Sequence, residues 1–320
     1  MSASPFILLF AKLAGGLGVF LLGLFTMRQG LTAVSSKHME RAIAALVKTP
    51  TRGLVTGIMA TLFMQSSAAV TILSMGLVSA GVLQFSETIA IILGTNIGST
   101  LTVGLLSLGV ERIGPWLVVI GIVLFLLVAI ITRHQKRSKL RGLALSIVGF
   151  GTLFVGFGLI GQAMQPIIVS RAIADLLLYA EIHPWLGVVA GTVLTAIITS
   201  SSASTALTLT LAKAGALSLS AAITVVFGNN VGTCITAVLA SIGGSKPVQR
   251  VAATHVLLNV AGVVVFMLFL KPFTNLIVSL SADVSHQVAL AHILFNVISS
   301  LLALPFTRQI AWLLEKYLPD

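Results

Sequence analysis

Two short polar stretches sit inside apolar sequence, and their side chains could hold ions. The first is Gln65-Ser66-Ser67-Ala68-Ala69-Val70-Thr71, within an apolar run from Leu54 to Leu83. The second is Thr199-Ser200-Ser201-Ser202-Ala203-Ser204-Thr205, in which Ser200 stands where Ser66 stands in the first. A hydroxyl both donates and accepts, so it can bond an oxyanion or offer oxygen to a hard cation. Gln65 adds amide donors and an acceptor. At a helical hairpin tip, free backbone N–H groups and the positive end of a helix dipole also favour an anion. The anion-binding candidates are therefore Gln65, Ser66, Ser67, Thr199, Ser200, Ser201 and Ser202.

Two further segments, Gly94-Thr95-Asn96-Ile97-Gly98 and Gly228-Asn229-Asn230-Val231-Gly232, place paired glycines and asparagines in apolar sequence. Local unwinding there would expose carbonyls suited to sodium. The sodium candidates are Ser66, Ser67, Thr95, Asn96, Ser200, Ser201, Asn229 and Asn230. A lone serine in a membrane helix more often serves packing or bonds its own helix. Two clusters in register with two Gly-Asn segments argue for a site. His255/Asn259 and His292/Asn296 share an i,i+4 spacing that suits interhelical hydrogen bonding. The chain carries no Cys/His metal cluster, nucleotide loop or Ser/His/Asp set, so neither an enzyme nor a resident cofactor is expected.

The elements that must position these residues are membrane helices. Hydrophobic residues make up 57% of the chain, charged residues only 8%, and mean hydropathy is +1.09. A soluble domain carries about 25% charged residues, so the fold class is an all-α polytopic membrane protein. The net charge of +11 fits basic cytoplasmic loops and anionic lipid better than nucleic acid. The single Cys234 excludes an internal disulfide. The first span is expected over residues 5–27, without a cleavage site, followed by a surface helix from Arg28 to Arg52. A re-entrant hairpin is expected at about 54–83, an interrupted span at 86–108 and a span at 116–131. The basic loop Arg133 to Arg141 comes next. A span at 143–164, a mixed-charge segment around Arg171, Asp175 and Glu181, a hairpin at about 187–217 and an interrupted span at 219–242 follow. Two more spans close the chain.

Placing Arg133–Arg141 in the cytoplasm puts the other basic clusters there too, with the N-terminus outside and the C-terminus inside a bacterial inner membrane. The halves, residues 1–140 and 141–320, repeat in the register that aligns Ser66 with Ser200. In that register Gly53, Gly57, Thr61, Gly94, Asn96 and Gly98 match Gly187, Gly191, Thr195, Gly228, Asn230 and Gly232. One position out of phase, Gly18, Gly23 and Gln29 match Gly151, Gly156 and Gln162. On this topology the repeats are inverted, each with a hairpin and an interrupted helix, the pattern of a secondary transporter site. Sodium with phosphate, sulfate, arsenate or a dicarboxylate all suit such a site. A non-transporting sensor or scaffold is the reading from another class.

At these residues the chain resembles the sodium–phosphate cotransporters, the type II group and its bacterial relatives, over nearly its whole length. Their signature is Gln-Ser-Ser-Ser in each of two inverted repeats. Gln65-Ser66-Ser67 is similar to the first copy, with Ala68 at its third serine, and Ser200-Ser201-Ser202 to the second, with Thr199 in place of glutamine. The run Ala291-His292-Ile293-Leu294-Phe295-Asn296 also resembles the family. The resemblance implies sodium-driven import of inorganic phosphate by alternating access, with phosphate on the anion candidates above. It implies as partners phosphate, sodium, the bilayer and a second copy in a homodimer. It also implies that a C-terminal domain like the phosphate-uptake regulator is lacking, since the chain stops soon after Tyr317.

Overall fold

Two long helices, each studded with glycine, pack so closely that their backbones touch. Helix α1 (Pro5–Ser35) and helix α7 (His134–Ile168) approach where Gly16 meets Ile160, Gly23 meets Leu153 and Gly30 meets Gly142 and Ser146. The partner numbers fall as the first rise, so the two run antiparallel. Small residues permit this approach, which in lipid is driven by dispersion rather than by water. The computed structural model describes residues 5–35, 47–109, 113–131, 134–168 and 182–319.

The first hairpin consists of α2 (Pro50–Met64) and α3 (Ser67–Ser79), followed by α4 (Phe85–Gly98) and α5 (Thr100–Ser107). Gly53 lies against Ala90, Gly57 against Ile91 and Gly94, and Gly98 against Ile58 and Thr61. Both sets of numbers rise together, so α2 and α4 are parallel. Helix α3 joins the far end of α2 to the near end of α4 and must therefore run back, which makes α2–α3 a re-entrant hairpin. The connection turns at Gly81, whose φ of 70° suits a residue without Cβ.

The second hairpin repeats this construction with α8 (Pro184–Ile198), α9 (Ser201–Lys213) and α10 (Leu219–Ser241). Gly187 meets Thr224, Gly191 meets Val225 and Asn229, and Gly232 meets Thr192 and Thr195. The backbone specials repeat too. Gln65, Gly81 and Gly109 have positive φ, and so do Thr199, Gly215 and Gly243 at the matching positions of the second copy.

Helices α6 (Gly114–Ile131), α11 (Lys246–Leu268), α12 (Leu270–Leu280), α13 (Val284–Ala303) and α14 (Thr307–Tyr317) complete the described chain. A cluster of Phe227, Phe266, Phe273 and Phe295 packs α10, α11, α12 and α13 together, with ring centroids 4.7 Å apart for Phe227 and Phe295. Among the described residues, six helical stretches are long and apolar enough to cross a membrane, including Phe85–Ser107, Leu219–Ser241 and Lys246–Leu268. Large apolar side chains such as Trp116, Ile130, Ile197 and Leu268 face outward. In water such a surface would aggregate, and in a bilayer it meets acyl chains. The chain is a multi-pass, all-α membrane protein.

Three expectations need correction. Helix α1 continues through Arg28 to Ser35, so Arg28 is not part of a surface helix; residues 36–46 lie outside the described residues, as do Arg171, Asp175 and Glu181. The basic stretch is not a loop: α7 begins at His134, because Lys, Arg, Gln and Leu are good helix formers and no Gly or Pro interrupts them. Finally, α10 runs unbroken through Gly228–Thr233, where unwinding was expected, while the first copy breaks only at Ser99. These glycines serve close packing: Gly228 lies against Val188 and Thr192, as Gly94 lies against Leu54 and Ile58.

Candidate substrate and ion site at the hairpin tips

Each tip is a two-residue reversal. Helix α2 ends where Gln65 takes the left-handed conformation (φ 49°, ψ 32°), its N–H still bonded to Thr61 O at 2.7 Å. Ser66 is extended and caps α3, its Oγ accepting from Ala69 N at 3.2 Å. The second tip copies this with Thr199 (φ 56°) and Ser200, whose Oγ accepts from Ala203 N at 3.4 Å. A non-glycine residue there costs about 1–2 kcal/mol, and β-branched Thr199 is the harder case. A serine N-cap contributes about 1 kcal/mol, so each cap offsets part of the strain beside it. Strain of this kind, repeated at both tips, persists only where the surrounding packing holds it.

The tips meet. One narrow cleft, partly open to solvent, is lined by Gln65, Ser66, Ser67 and Ala68 from the first tip and Thr199, Ser200, Ser201 and Ser202 from the second. Every residue expected to bind an anion therefore shares one cavity, and so do the sodium candidates Ser66, Ser67, Ser200 and Ser201. Helices α3 and α9 both begin at this cleft, so their first-turn N–H groups and positive dipole ends lie at it. Thr102 and Thr233 add hydroxyls from the helices behind.

Arg28 was missed at the sequence level. Its Nε donates to Gln65 O at 2.7 Å, and its half-buried guanidinium lines the cleft. It also lines a wider open vestibule with Phe25, Thr32, Met64 and Ser66, so it stands between the vestibule and the tips. The Gln29–Gln162 match carries the repeat past Arg28, and that signal could have placed it inside α1. In the register of that match its counterpart is Gly161, so the site holds this cation on one side of the repeat.

Gln65 is committed within the protein. Its Nε2 donates to Leu62 O at 2.7 Å and its Oε1 accepts from Thr102 at 2.7 Å, which fixes the tip against α5. The remaining sodium candidates lie away from the cleft. Asn96 donates to Asn259 at 3.4 Å, and Asn230 donates to Val226 O at 2.8 Å. Asn229 is fully buried against Thr195 and Thr205, and Thr95 donates to Ile92 O. Asn259 and Asn296 donate to the carbonyls of His255 and His292 in their own helices, each at 2.9 Å, and Asn259 also bonds between helices, accepting from Asn96.

The chain matches the Na+/Pi-cotransporter family over residues 19–162 and again over 158–282. It is 34% identical over 300 residues to "Uncharacterized protein YqeW" of Bacillus subtilis, covering 94% of this chain and 95% of that one. It is 26% identical over 298 residues to "Putative inorganic phosphate export protein YjbB" of Salmonella typhimurium, covering 93% of this chain and 54% of that one, so it spans about half the length of that relative. Over a 58-residue segment, 18% of this chain and 9% of the relative, it is 43% identical to "Sodium-dependent phosphate transport protein 2A" of Oryctolagus cuniculus. No solved structure matches it. The two family matches together span most of the chain and contain both tips, and on that ground the chain belongs to the Na+/Pi-cotransporter family.

Proposed function

We propose that this membrane protein is a sodium-coupled symporter that imports inorganic phosphate by alternating access, with phosphate held between the two tips. The observation that carries the reading is the single cleft shared by Ser66, Ser67, Ser200, Ser201 and Arg28. It offers an oxyanion hydroxyl donors, two helix N-termini and one guanidinium. An unpaired multivalent anion is costly at low dielectric, and Arg28 with co-bound sodium would neutralise it. Oxygens of Ser66, Ser67, Ser200 and Ser201 would be shared with sodium, while Gln65, Thr199 and Ser202 shape the tips.

Two packing facts support an inverted arrangement of residues 1–140 and 141–320. The matched helices α1 and α7 pack antiparallel, and the contact of Gly16 with Ile160 recurs at the matched positions as Gly149 with Met27. A two-fold axis in the membrane plane produces such self-complementary contacts. The far half of each helix behind a tip also packs with the return arm of the other hairpin: Val103 and Leu106 with Ala206 and Leu209, and Ala237 with Val70 and Met75. That pairing follows if the hairpins enter from opposite sides, with the N-terminus outside and the C-terminus in the cytoplasm.

Reconstituted protein is expected to take up labelled phosphate at least tenfold faster with an inward sodium gradient than with choline in its place. Equal rates would refute sodium coupling. A second reading is export, favoured by the name of the YjbB relatives. It requires uphill phosphate efflux from preloaded vesicles against the sodium gradient, which a symporter does not perform.

A further inference from the structure

The two repeats differ at one buried position, and the difference points to an ion. In the second repeat the Asn229 carboxamide fills the space between α8, α9 and α10. Two carbonyls on one side of the amide require a donor there, and in the orientation that satisfies both ends its NH2 group faces Thr195 Oγ1 at 3.0 Å, Gly191 O at 3.1 Å and Val225 O at 3.3 Å, while its oxygen accepts from Thr205 Oγ1 at 3.1 Å. A positively polarised group is thus caged by oxygens one turn behind the tip.

The matching positions of the first repeat are Thr95, Thr61, Gly57, Ile91 and Thr71. The frame is the same, since Gly57 meets Ile91 and Gly94 as Gly191 meets Val225 and Asn229. No side chain supplies the caged group here, because Thr95 is shorter than asparagine and has no NH2. The hydroxyls of Thr61 and Thr71 are left buried with no hydrogen-bond partner, in residues 2% and 0% exposed. A buried hydroxyl without a partner is costly, and these two occupy the positions that match the Asn229 partners Thr195 and Thr205. Thr95 Oγ1 spends its proton on Ile92 O at 2.8 Å and keeps lone pairs to offer. In the register of the repeat, the polar groups at the place Asn229 fills are all oxygens, three hydroxyls and two carbonyls, which is a ligand set for a hard cation.

We propose that Thr61, Thr71 and Thr95, with the carbonyls of Gly57 and Ile91, form a sodium site inside the first repeat, and that Asn229 is its permanent substitute in the second. The inference rests on the transport reading and names one of its ion sites. It also supplies a coupling route. The ion would tie α2, α3 and α4 together, and Thr61 O holds the N–H of Gln65 at the strained tip. Sodium would set the first tip in its phosphate-binding shape from one turn away. Asn229 keeps the second tip set at all times.

The test is equilibrium binding of radiolabelled sodium to the purified full chain, in choline buffer without phosphate. Thr95→Asn installs the amide of the second repeat and is expected to lose one bound sodium per protomer. Thr61→Val and Thr71→Val keep the side-chain shape and remove one ligand each. Each is expected to raise the half-saturating sodium concentration at least tenfold. Wild-type stoichiometry and affinity in all three variants would overturn the proposal and leave water in the cage. Should Thr95→Asn fail to fold, the two valine variants decide alone. Phosphate uptake that ignores sodium in the wild type would instead overturn the transport reading, and the binding assay still decides this site.

Discussion

Replacing Arg28 with glutamine is expected to weaken phosphate binding at least a hundredfold and to bring uptake down with it. Arg28 is the side chain with a fixed positive charge that lines the cleft, and it reaches the tip from α1. Its Nε is held by Gln65 O, so the rest of the guanidinium is oriented toward the space between the tips at little entropic cost. A charge-assisted hydrogen bond contributes about 1.5–3 kcal/mol, and loss of charge at low dielectric adds to it, which together exceed two decades in affinity. Lysine at this position is expected to recover part of the binding and not all. It restores the charge but cannot hold the Gln65 carbonyl and present a planar fork together. Phosphate titration of the Gln and Lys variants checks both statements. Wild-type affinity in the glutamine variant would show that Arg28 only braces the tip.

Alanine at Gly57 or Gly191 is expected to destabilise the fold strongly. A Cβ on Gly57 would collide with the Ile91 carbonyl, and one on Gly191 with the Val225 carbonyl. Both obstacles are backbone inside a packed helix and cannot rotate away, so α2 must separate from α4, or α8 from α10. Overpacking a core typically costs about 1–3 kcal/mol where side chains can yield, and more where they cannot. A fall in melting midpoint on the order of 10 °C in detergent is expected, with loss of phosphate binding because both tips depend on these contacts. Gly18 and Gly76 are the internal comparison. Each sits within a helix with nothing near its would-be Cβ. Alanine there should stabilise by about 0.5–1 kcal/mol through helix propensity. Melting curves of the four variants separate close-packing glycines from incidental ones.

The parts of this molecule that were legible in sequence were those that recur. The register aligning Ser66 with Ser200 exposed the hairpins, the tip residues and the glycine pairs without any knowledge of the fold, because an internal copy discounts chance. What that register could not say was how each glycine is used. Gly94-Thr95-Asn96-Ile97-Gly98 reads as a loosened helix, since glycine lowers helix propensity. In the structure Gly94 and Gly98 admit α2 to backbone contact, as Gly228 and Gly232 admit α8, and α10 stays helical throughout. Arg28 was misplaced for a related reason. A positive charge after an apolar run reads as the membrane edge, yet α1 continues past it and its side chain turns inward to the Gln65 carbonyl. Asn229 and Thr95 looked alike as ion ligands; only the hydrogen bonds distinguish a filled cage from an open one.

One measurement goes to the heart of this account: equilibrium binding of phosphate, in sodium, to the wild type and to Ser66→Ala and Ser200→Ala separately. Loss of either cap should cost only about 1 kcal/mol of stability, so both variants should remain folded. If the two tips embrace one anion, each substitution alone weakens phosphate binding at least tenfold, because each removes a hydroxyl from the same cleft. If either variant binds phosphate as the wild type does, the two tips do not build one site.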